Sequence, residues 1–266
     1  EKHYSIPVAV TNDANAAALG EMLFGAAKGM KDFIIITLGT GLGSGIVTNG
    51  ELVYGADGFA GEIGHTVVDP KGRQCGCGKL GCLETYCSAT GLCRTVQELI
   101  CNSTEPSRLR HISFHELDAR MVSDAAMNGD TLALKAFDIS GSILGIKLAD
   151  SVAHLSPEAI ILFGGLAAAG DLIFKPTRLS LEQHLFPVAE GDTRIKQVFI
   201  YAEPQGHDYF QDGLSFRLAI RAGWTSNIIA FGLFMAQRIQ HGFRAQGKEQ
   251  TQLNHRRAPA LDTMRW

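Results

Sequence analysis

Residues 33–53 read FIIITLGTGLGSGIVTNGELV and carry the strongest fold signal in the chain. The run Phe33–Leu38 is rich in apolar, β-branched residues, which is typical of a buried strand. Asn49-Gly50 lies between two further strand-like runs and predicts a hairpin, because both residues readily adopt positive φ. The glycine-rich run Gly39–Gly45 is therefore expected to lie between paired strands.

Upstream of this stretch, the sequence predicts a short strand followed by a helix. The β-branched run 6–10 favours the strand, and residues 11–13, Thr-Asn-Asp, can cap a helix. The Ala-rich segment 13–21 has high helix propensity and should end near Gly25 or Gly29. The polar cap would then be displayed at a strand-to-helix junction.

Downstream, helices again alternate with a strand. Two helices, a strand and the start of a third helix are predicted over residues 121–128, 130–155, 159–163 and 166–172. Pro157 ends the second helix, and the strand runs directly into Gly164-Gly165. This alternation predicts an α/β protein with ligands bound at the ends of its strands.

Composition and net charge limit the class of protein and the kind of partner that are expected. The chain has 266 residues, of which 45% are hydrophobic and 19% charged, so it is expected to be globular, with one large or two modest domains. A net charge of −3 gives no electrostatic reason to expect nucleic acid or an anionic membrane as partner, and a small molecule is predicted instead. Apolar stretches such as 227–236 fall short of the roughly 18 residues that a membrane helix needs. A soluble, cytoplasmic protein is therefore expected.

The cysteines are crowded into one part of the chain. All six lie between Cys75 and Cys101, and three fall in the segment CGCGKLGC at 75–82. Thiolates two and seven positions apart in a glycine-rich turn can converge on one tetrahedral ion, and His65 would complete a Cys3His set typical of structural zinc. Reduced buried thiols or an adventitious disulfide are the alternatives. The other three thiols, Cys87, Cys93 and Cys101, are expected to be small buried groups.

Two glycine motifs are candidates for phosphate contact. The run Gly39–Gly45 matches neither a P-loop nor a dinucleotide fingerprint, but its backbone N–H groups and the Thr40 hydroxyl suit an anion. A glycine-rich β-turn without a ligand is the alternative. Gly164-Gly165 is either a nucleotide contact or an ordinary tight turn.

Three carboxylates are candidate functional residues. Asp13 is either a first-turn helix acid or a functional carboxylate. Glu62 and Glu84 flank the cysteine segment, and a metal ion would bring them together. Groups so placed can accept hydrogen bonds from several hydroxyls of one sugar, whereas either alone could simply be a solvated surface residue.

Taken together, these blocks resemble the ROK family of sugar kinases and related repressors, in its bacterial glucokinase-like branch. Residues 10–21, 38–45 and 61–84 look like the family's catalytic, second phosphate and zinc segments, and residues 162–166 are similar to its adenosine segment. The likeness covers roughly residues 1–188. It implies an α/β, actin/hexokinase-like (ribonuclease H-like) ATPase fold, of which the chain holds mostly the large domain.

The resemblance also implies an activity and a role for each residue. ATP-dependent phosphorylation of a hexose, glucose first among them, is expected at the 6-hydroxyl, with Asp13 as general base. The implied sugar ligands are Asn12, Gly41, Glu62, His65 and Glu84. The implied ligands of structural Zn2+ are His65, Cys75, Cys77 and Cys82, with the other ring nitrogen of the histidine facing the sugar. The implied contacts to the phosphates of Mg2+-ATP are Gly39, Thr40 and Gly43, and those to adenosine are Gly164 and Gly165.

Two competing functions stay open. A ROK repressor would sense a sugar in the same pocket and carry a helix-turn-helix before the kinase-like part, although the intact Asn12-Asp13 pair favours a kinase. A zinc-bearing, sugar-binding remnant without activity is the third possibility. In the kinase interpretation no nucleic acid is bound, and the family resemblance suggests a homodimer or homotetramer.

The domain organisation departs from the family at both ends. Residues 1–27 are expected to end a small N-terminal α/β domain, residues 28–188 to form the large domain, and residues 189–266 to be a divergent or out-of-frame tail. A genuine variable segment, in which 224–236 packs as a helix, is the alternative for the tail. The family's first phosphate segment, Asp-x-Gly-Gly-Thr, does not occur in the chain. This 266-residue chain is therefore expected to bind zinc but to be only weakly active.

Overall fold

The computed structural model describes residues 11–186 and the backbone of residues 199–202. The described residues from Asn12 onward belong to one compact unit. The predicted strand at 6–10 and the predicted helix at 224–236 lie outside the described residues. The proposed division into domains at residues 27 and 188 stays a prediction.

A mixed sheet forms the centre of the described part of the chain. Its strands are β1 (Phe33–Leu38), β2 (Leu42–Thr48), β3 (Glu51–Leu52), β4 (Ala159–Phe163) and β5 (Phe199–Ala202). Their order across the sheet is β3-β2-β1-β4-β5. β1, β4 and β5 run parallel, whereas β2 is antiparallel to both of its neighbours. This arrangement confirms the predicted α/β class.

Six α-helices accompany the sheet within the described ranges. They are α1 (Asp13–Phe24), α2 (Glu84–Cys87), α3 (Ala89–Asn102), α4 (Ala119–Met127), α5 (Thr131–Leu155) and α6 (Asp171–His184). The predictions for α1, α4 and α5 are confirmed to within two residues at each end. Helices α2 and α3 were not predicted. For α6, only a helix start over residues 166–172 was predicted, and the helix begins at Asp171.

The central strand β1 is buried on both faces, which explains its continuous apolar sequence. Ile34, Ile36 and Leu38 pack in a core with α3, α5 and α6, whereas Phe33 and Ile35 pack on the opposite face with α1. The hairpin predicted at Asn49-Gly50 is confirmed. Both of its residues have positive φ, 53° and 77°, as a tight two-residue turn requires.

The prediction for the glycine-rich run is wrong in part. Only Gly39–Gly41 forms the turn between β1 and β2, because β2 already begins at Leu42. Gly45 lies inside the strand, where an added Cβ would come within 2.8 Å of the Ala18 Cβ. The glycines of β2 therefore admit the small side chains of α1 at close range, a packing role that the sequence pattern did not separate from a phosphate loop.

Helices α5 and α6 pack against each other just as closely. An added Cβ at Gly141 would lie 2.6 Å from the Pro176 ring, and one at Gly145 would lie 2.6 Å from the Ser180 Cβ. The Ser180 hydroxyl donates a hydrogen bond across this contact to the Ser142 carbonyl oxygen, at 2.7 Å. None of the helices in the described ranges is both long and apolar enough to span a bilayer.

Candidate functional site

The two glycine turns meet at the carboxyl ends of the parallel strands. Thr37 pairs with Phe163, and the Leu166 N–H donates to the Leu38 carbonyl oxygen at 3.1 Å. Gly164 has a φ of 99° and packs against β1, where an added Cβ would lie 2.9 Å from the Leu38 oxygen. The turns Gly39–Gly41 and Gly164-Gly165 therefore lie side by side, where ligands bind in open α/β sheets.

The backbone groups of the first turn are partly committed. The Gly39 N–H donates to the Gly41 carbonyl oxygen at 3.0 Å, and the Gly39 carbonyl oxygen accepts the Ala89 N–H at 2.9 Å. Thr40 is exposed at the tip. Gly43, expected to face phosphates, lies within β2 opposite Thr37. Of the three residues assigned to the phosphates, Thr40 is thus the one displayed to solvent.

The N-terminus of α1 lies over the start of β2. Asn12 is the N-cap, and its side-chain oxygen accepts the Asn15 N–H at 2.7 Å. Asp13 is the first helical residue and is exposed, with one carboxylate oxygen accepting the Ala14 N–H at 2.8 Å. Ala14 lies 3.1 Å from where a Cβ on Gly43 would be, so α1 begins beside the end of β1 that carries the first glycine turn.

The predicted metal ligands converge. The donor atoms of His65, Cys75, Cys77 and Cys82 all lie within 4.8 Å of one another. His65 Nδ1 is 3.6 Å from the Cys75 sulfur, and the sulfurs of Cys77 and Cys82 are 3.6 Å apart. Tetrahedral zinc with bonds of about 2.3 Å to sulfur and about 2.1 Å to nitrogen places neighbouring ligand atoms about 3.6 Å apart. The donor set and its spacing therefore fit zinc.

All six cysteines, each within the described residues, are free thiols. The disulfide alternative is therefore absent from this structure. Cys87 and Cys93 are buried as predicted, and burial raises the pKa of Cys93 to about 11. The same prediction is wrong for Cys101, which is exposed in the last turn of α3, where the helix surface faces solvent.

The cysteine loop is shaped by its glycines and by Lys79. Gly78 and Gly81 have φ of 92° and 68°, which L side chains rarely adopt. The Cys75 N–H donates to the Lys79 carbonyl oxygen at 2.9 Å, and the Lys79 ammonium donates to the His65 carbonyl oxygen at 2.7 Å. These bonds close the loop and hold it against the segment that carries the histidine.

The thiols differ in how readily they ionise. Burial and hydrogen bonding to its neighbouring thiols raise the pKa of Cys82 to about 12, and burial raises the pKa of Cys75. The pKa of Cys77 is lowered, chiefly by a hydrogen bond from the Lys79 backbone. Two of the three thiols thus favour the neutral form in the absence of a cation. A divalent ion would reverse this preference because its ligand is the thiolate.

The two flanking glutamates lie on either side of the cluster. One Glu84 oxygen is 3.7 Å from the Cys75 sulfur, and the other accepts the Leu42 N–H at 3.0 Å. Glu84 also packs directly against Gly41. Glu62 is exposed, with a carboxylate oxygen 4.0 Å from His65 Nε2. The two histidine nitrogens therefore face different groups, the thiols on one side and a carboxylate on the other.

Sequence reasoning missed two residues that hold this site together. The Ser44 hydroxyl accepts the Ile63 N–H at 3.2 Å and donates to the Gly61 carbonyl oxygen, so it fixes the loop that carries Glu62. Arg73 links the cysteine loop to α2 and α3. Its position two residues before Cys75 was the available signal.

A mixed sheet of this order, with glycine turns at the ends of its central parallel strands, is typical of the actin/hexokinase-like, ribonuclease H-like class of proteins, and the solved relatives of the chain share this fold. Within that class, a sequence model of the ROK family matches residues 1–199. The chain belongs to the ROK family, and the match extends past residue 188, where the family likeness was expected to end.

Named relatives include both enzymes and regulators. A glucokinase of Halalkalibacterium halodurans is 44% identical over 194 residues, which cover 72% of this chain and 59% of the relative. A solved ROK glucokinase from Streptomyces griseus, in complex with glucose and AMPPNP, is 37% identical with a TM-score of 0.67, over 76% of this chain and 65% of that one. A solved ROK transcriptional regulator, a homologue of the E. coli MLC protein, is 30% identical with a TM-score of 0.66, over 76% of this chain and 49% of that one.

The chain thus spans about three fifths of the length of the curated glucokinases that it matches. Their names describe whole proteins.

Proposed function

We propose that this chain is the sugar-binding part of a ROK hexose kinase that transfers the γ-phosphate of ATP to the 6-hydroxyl of glucose or a similar sugar. The observation that carries the proposal is the exposed Asp13 at the start of α1, at the sheet edge where the first glycine turn lies. The likeness to a glucokinase solved with glucose and AMPPNP supports it.

In this proposal, Asp13 acts as the general base. Its carboxylate takes the proton of the sugar 6-hydroxyl as that oxygen bonds to the γ-phosphorus, and the bond between this phosphorus and the β,γ-bridging oxygen breaks to release ADP. Asn12 holds the helix start in place through its cap. Because phosphoryl transfer depends mainly on positioning and charge neutralisation, one carboxylate base is sufficient.

The sugar would be held by groups beside the cluster. Glu62 and Glu84 offer carboxylate oxygens that accept hydrogen bonds from hydroxyls, and His65 offers Nε2 on the same side as Glu62. Gly41 leaves room for Glu84 to reach the turn. Since these groups come from three separate segments, their arrangement depends on the loop that the cluster organises.

The nucleotide would lie across the two adjacent glycine turns. Thr40 and its neighbours Gly39 and Gly43 would be nearest the phosphates, and Gly164 and Gly165 nearest the adenosine. The positive φ of Gly164 allows the backbone to approach a ligand closely. Mg2+ arriving with ATP would neutralise phosphate charge during transfer.

We further propose that His65, Cys75, Cys77 and Cys82 hold structural Zn2+. Four protein ligands would close the tetrahedron, so the ion would order the loop and leave no position for a reactive water. His65, bound through Nδ1, would keep Nε2 for Glu62 or the sugar. Hydrogen bonds to metal-binding side chains usually orient those side chains toward the metal. Here the bound metal would in turn orient His65 toward the sugar.

Replacement of Asp13 tests the kinase proposal. In a protein carrying these residues together with the Asp-x-Gly-Gly-Thr segment of the family, Asp13→Asn should lower kcat by about 10²-fold to 10⁴-fold, because the base is lost. Glucose binding by calorimetry should stay measurable. Asp118→Asn is the matched control, since Asp118 caps a different helix, α4, by accepting the Met121 N–H. Undiminished kcat in Asp13→Asn would remove the residue from this role.

The 266-residue chain itself should turn over slowly. A coupled assay of ADP formation with glucose, N-acetylmannosamine and N-acetylglucosamine measures this. We expect rates well below the roughly 10 s⁻¹ typical of enzymes, because one phosphate segment of the family is not in the sequence. A rate at that level would contradict the expectation.

A sugar-sensing repressor is the second candidate. The likeness to the solved ROK regulator favours it, because that protein shares the fold at a similar TM-score. If the protein is a repressor, a longer protein that contains this chain would bind sugar without phosphorylating it. The Asp13→Asn experiment separates the two, since a sensor has no turnover to lose.

A further inference from the structure

Arg73 makes an unusually complete set of bonds for a residue at the edge of a loop. All five N–H groups of its guanidinium have acceptors. One terminal nitrogen donates to the Thr85 and Gly91 carbonyl oxygens at 2.7 and 3.1 Å. The other donates to the Thr95 hydroxyl at 3.0 Å and to Glu98 at 2.7 Å. Its side chain is only 11% exposed, so these bonds are largely shielded from water.

The backbone of Arg73 is held as firmly as its side chain. Its N–H donates to the Tyr86 hydroxyl at 3.1 Å, and its guanidinium carbon lies 4.4 Å from the centre of the Tyr86 ring. Its carbonyl oxygen accepts the Gly81 N–H at 2.7 Å. One residue thus joins the start of the cysteine loop to the end of that loop and to α2.

These contacts surround the proposed metal ligands without touching them. Arg73 is two residues before Cys75, and its backbone partner Gly81 directly precedes Cys82. Its side-chain partner Thr85 directly follows Glu84, the carboxylate near the Cys75 sulfur. Any rotation of the cysteine loop or of α2 that moved Cys75, Cys82 or Glu84 would break hydrogen bonds to Arg73.

We propose that Arg73 is a positioning residue that sets the affinity of the cysteine cluster for its ion. The inference rests on the proposed zinc site. An arginine suits the task because its planar, rigid fork matches Glu98 with two bonds while keeping donors for the carbonyls. A preorganised loop loses less conformational entropy when the metal binds.

Arg110 provides a matched control within the same chain. Its guanidinium likewise donates to backbone carbonyl oxygens, those of Ile100, Ser103 and Glu105. None of these partners belongs to the cysteine loop or to α2. Loss of Arg110 should therefore cost stability of a similar kind without altering metal affinity.

The test measures Zn2+ affinity of the full 266-residue chain by competition with a chromophoric chelator. Arg73→Ala should weaken Zn2+ binding by about 10-fold to 100-fold, the range found when groups that orient metal ligands are removed. Arg73→Lys should fall between wild type and alanine, because one ammonium cannot replace the fork. Arg110→Ala should bind Zn2+ as wild type does.

The outcomes are distinguishable. If the wild-type chain fails to bind Zn2+, the proposed metal site is wrong. If wild type binds and Arg73→Ala binds equally well, or weakens no more than Arg110→Ala, the positioning role is wrong. Should Arg73→Ala not fold, Arg73→Lys and Tyr86→Phe replace it, and wild-type affinity in both would overturn the inference.

Discussion

At the scale of single residues, Glu84 shows how the site is joined. One carboxylate oxygen lies beside the Cys75 sulfur and the other accepts the Leu42 N–H, so a single side chain connects the cysteine loop to the β1–β2 turn. Gly41 permits this because it has no side chain to meet the carboxylate. The geometry of the turn and that of the cluster are therefore interdependent.

Substitution of Gly41 tests this connection. A Cβ in Gly41→Ala would collide with the Glu84 carboxylate and push it from the Leu42 N–H. Because the displaced carboxylate is a proposed sugar ligand, loss of its hydrogen bond to the sugar, worth about 1.5–3 kcal/mol for a charged group, should weaken glucose binding by roughly 10-fold to 150-fold in calorimetry. Gly20→Ala, where no atom lies within 4 Å of the added Cβ, serves as the control. Equal glucose affinity in the two variants would contradict the role given to Glu84.

The sequence predicted the ligand cluster but not the residues that support it. Three thiols and a histidine converge because they lie within one short segment, so their spacing alone was informative. The bond from Leu42 to Glu84 joins residues 42 positions apart and depends on how the turn folds onto α2. Ser44 bonds to backbone groups, which leave no residue pattern in a sequence. Arg73 bonds to a mixture of backbone carbonyl oxygens and side chains that lie 12 to 25 positions further along the chain.

At the scale of elements, close packing recurs wherever glycines meet small residues. In α5, Gly141 and Gly145 lie four positions apart on one face and bring α6 into near contact. In β2, Gly45 does the same for α1. Both interfaces are set by the absence of side chains, so they are sensitive to the addition of a single methyl group.

The α5–α6 contact can be tested with one methyl group. Gly145→Ala should lower the free energy of unfolding by about 1–3 kcal/mol, because its Cβ would lie 2.6 Å from that of Ser180. Gly20→Ala, in the open interior of α1, should instead raise it by about 0.5–1 kcal/mol through helix propensity. Urea unfolding measures both. A stabilised Gly145→Ala would show that the helices separate readily.

The start of α5 predicts a pH dependence. Although burial opposes it, hydrogen bonds from the Ser107 hydroxyl and from the N–H groups of Ala133, Arg108 and Leu132 lower the pKa of Asp130. A carboxyl with a lowered folded pKa stabilises fully above its ordinary value near about 3.9 and loses that effect as the pH falls through the folded pKa. Asp130→Asn should thus be less stable than wild type at pH 7, and the gap should close toward pH 2.

Urea unfolding of both proteins between pH 7 and pH 2 measures this gap. Asparagine keeps an oxygen that can cap the Leu132 and Ala133 N–H groups, but its NH2 group cannot accept from Ser107 and Arg108, so only the pH-dependent part of the gap reports the charge. A gap that stayed constant across this range would assign the difference to packing.

Elements with strong local signals were predictable, and those defined by distant partners were not. Helix α5 was predictable from its Asp130 N-cap and its long apolar repeat. Helix α3 was not predicted, although Leu92, Cys93 and Val96 line its buried face. The four-residue strand β5 was not predicted, and it pairs in parallel with β4.

At the scale of the whole molecule, the cysteine cluster lies in the long segment of chain between β1 and β4. The cluster contacts the turn after β1 through Glu84, while β4 supplies the second glycine turn. The sheet thereby brings together two sites that are far apart along the chain. Metal binding should consequently stabilise more than the local loop.

Removal of the metal tests this effect. Chelation of a Zn2+-loaded chain should lower the Tm, since an ion at 100 times its Kd adds about 2.7 kcal/mol to the stability of the folded state. Cys82→Ser should abolish the dependence on Zn2+, whereas Cys101→Ser, at an exposed thiol outside the cluster, should retain it. Scanning calorimetry with and without chelator measures the shift. Equal Zn2+ dependence in the two variants would contradict the ligand assignment.

During synthesis, β1 is made long before β4, the strand with which it pairs in parallel. Partner residues lie about 125 positions apart, and a ribosome adding about 5–20 residues per second needs roughly 6–25 s to cover that distance. For that period β1 has an unpaired edge, which is a template for association with other chains. The cysteine loop is complete in the nascent chain well before the central strand gains its second neighbour, and in this interval newly made molecules are most open to aggregation.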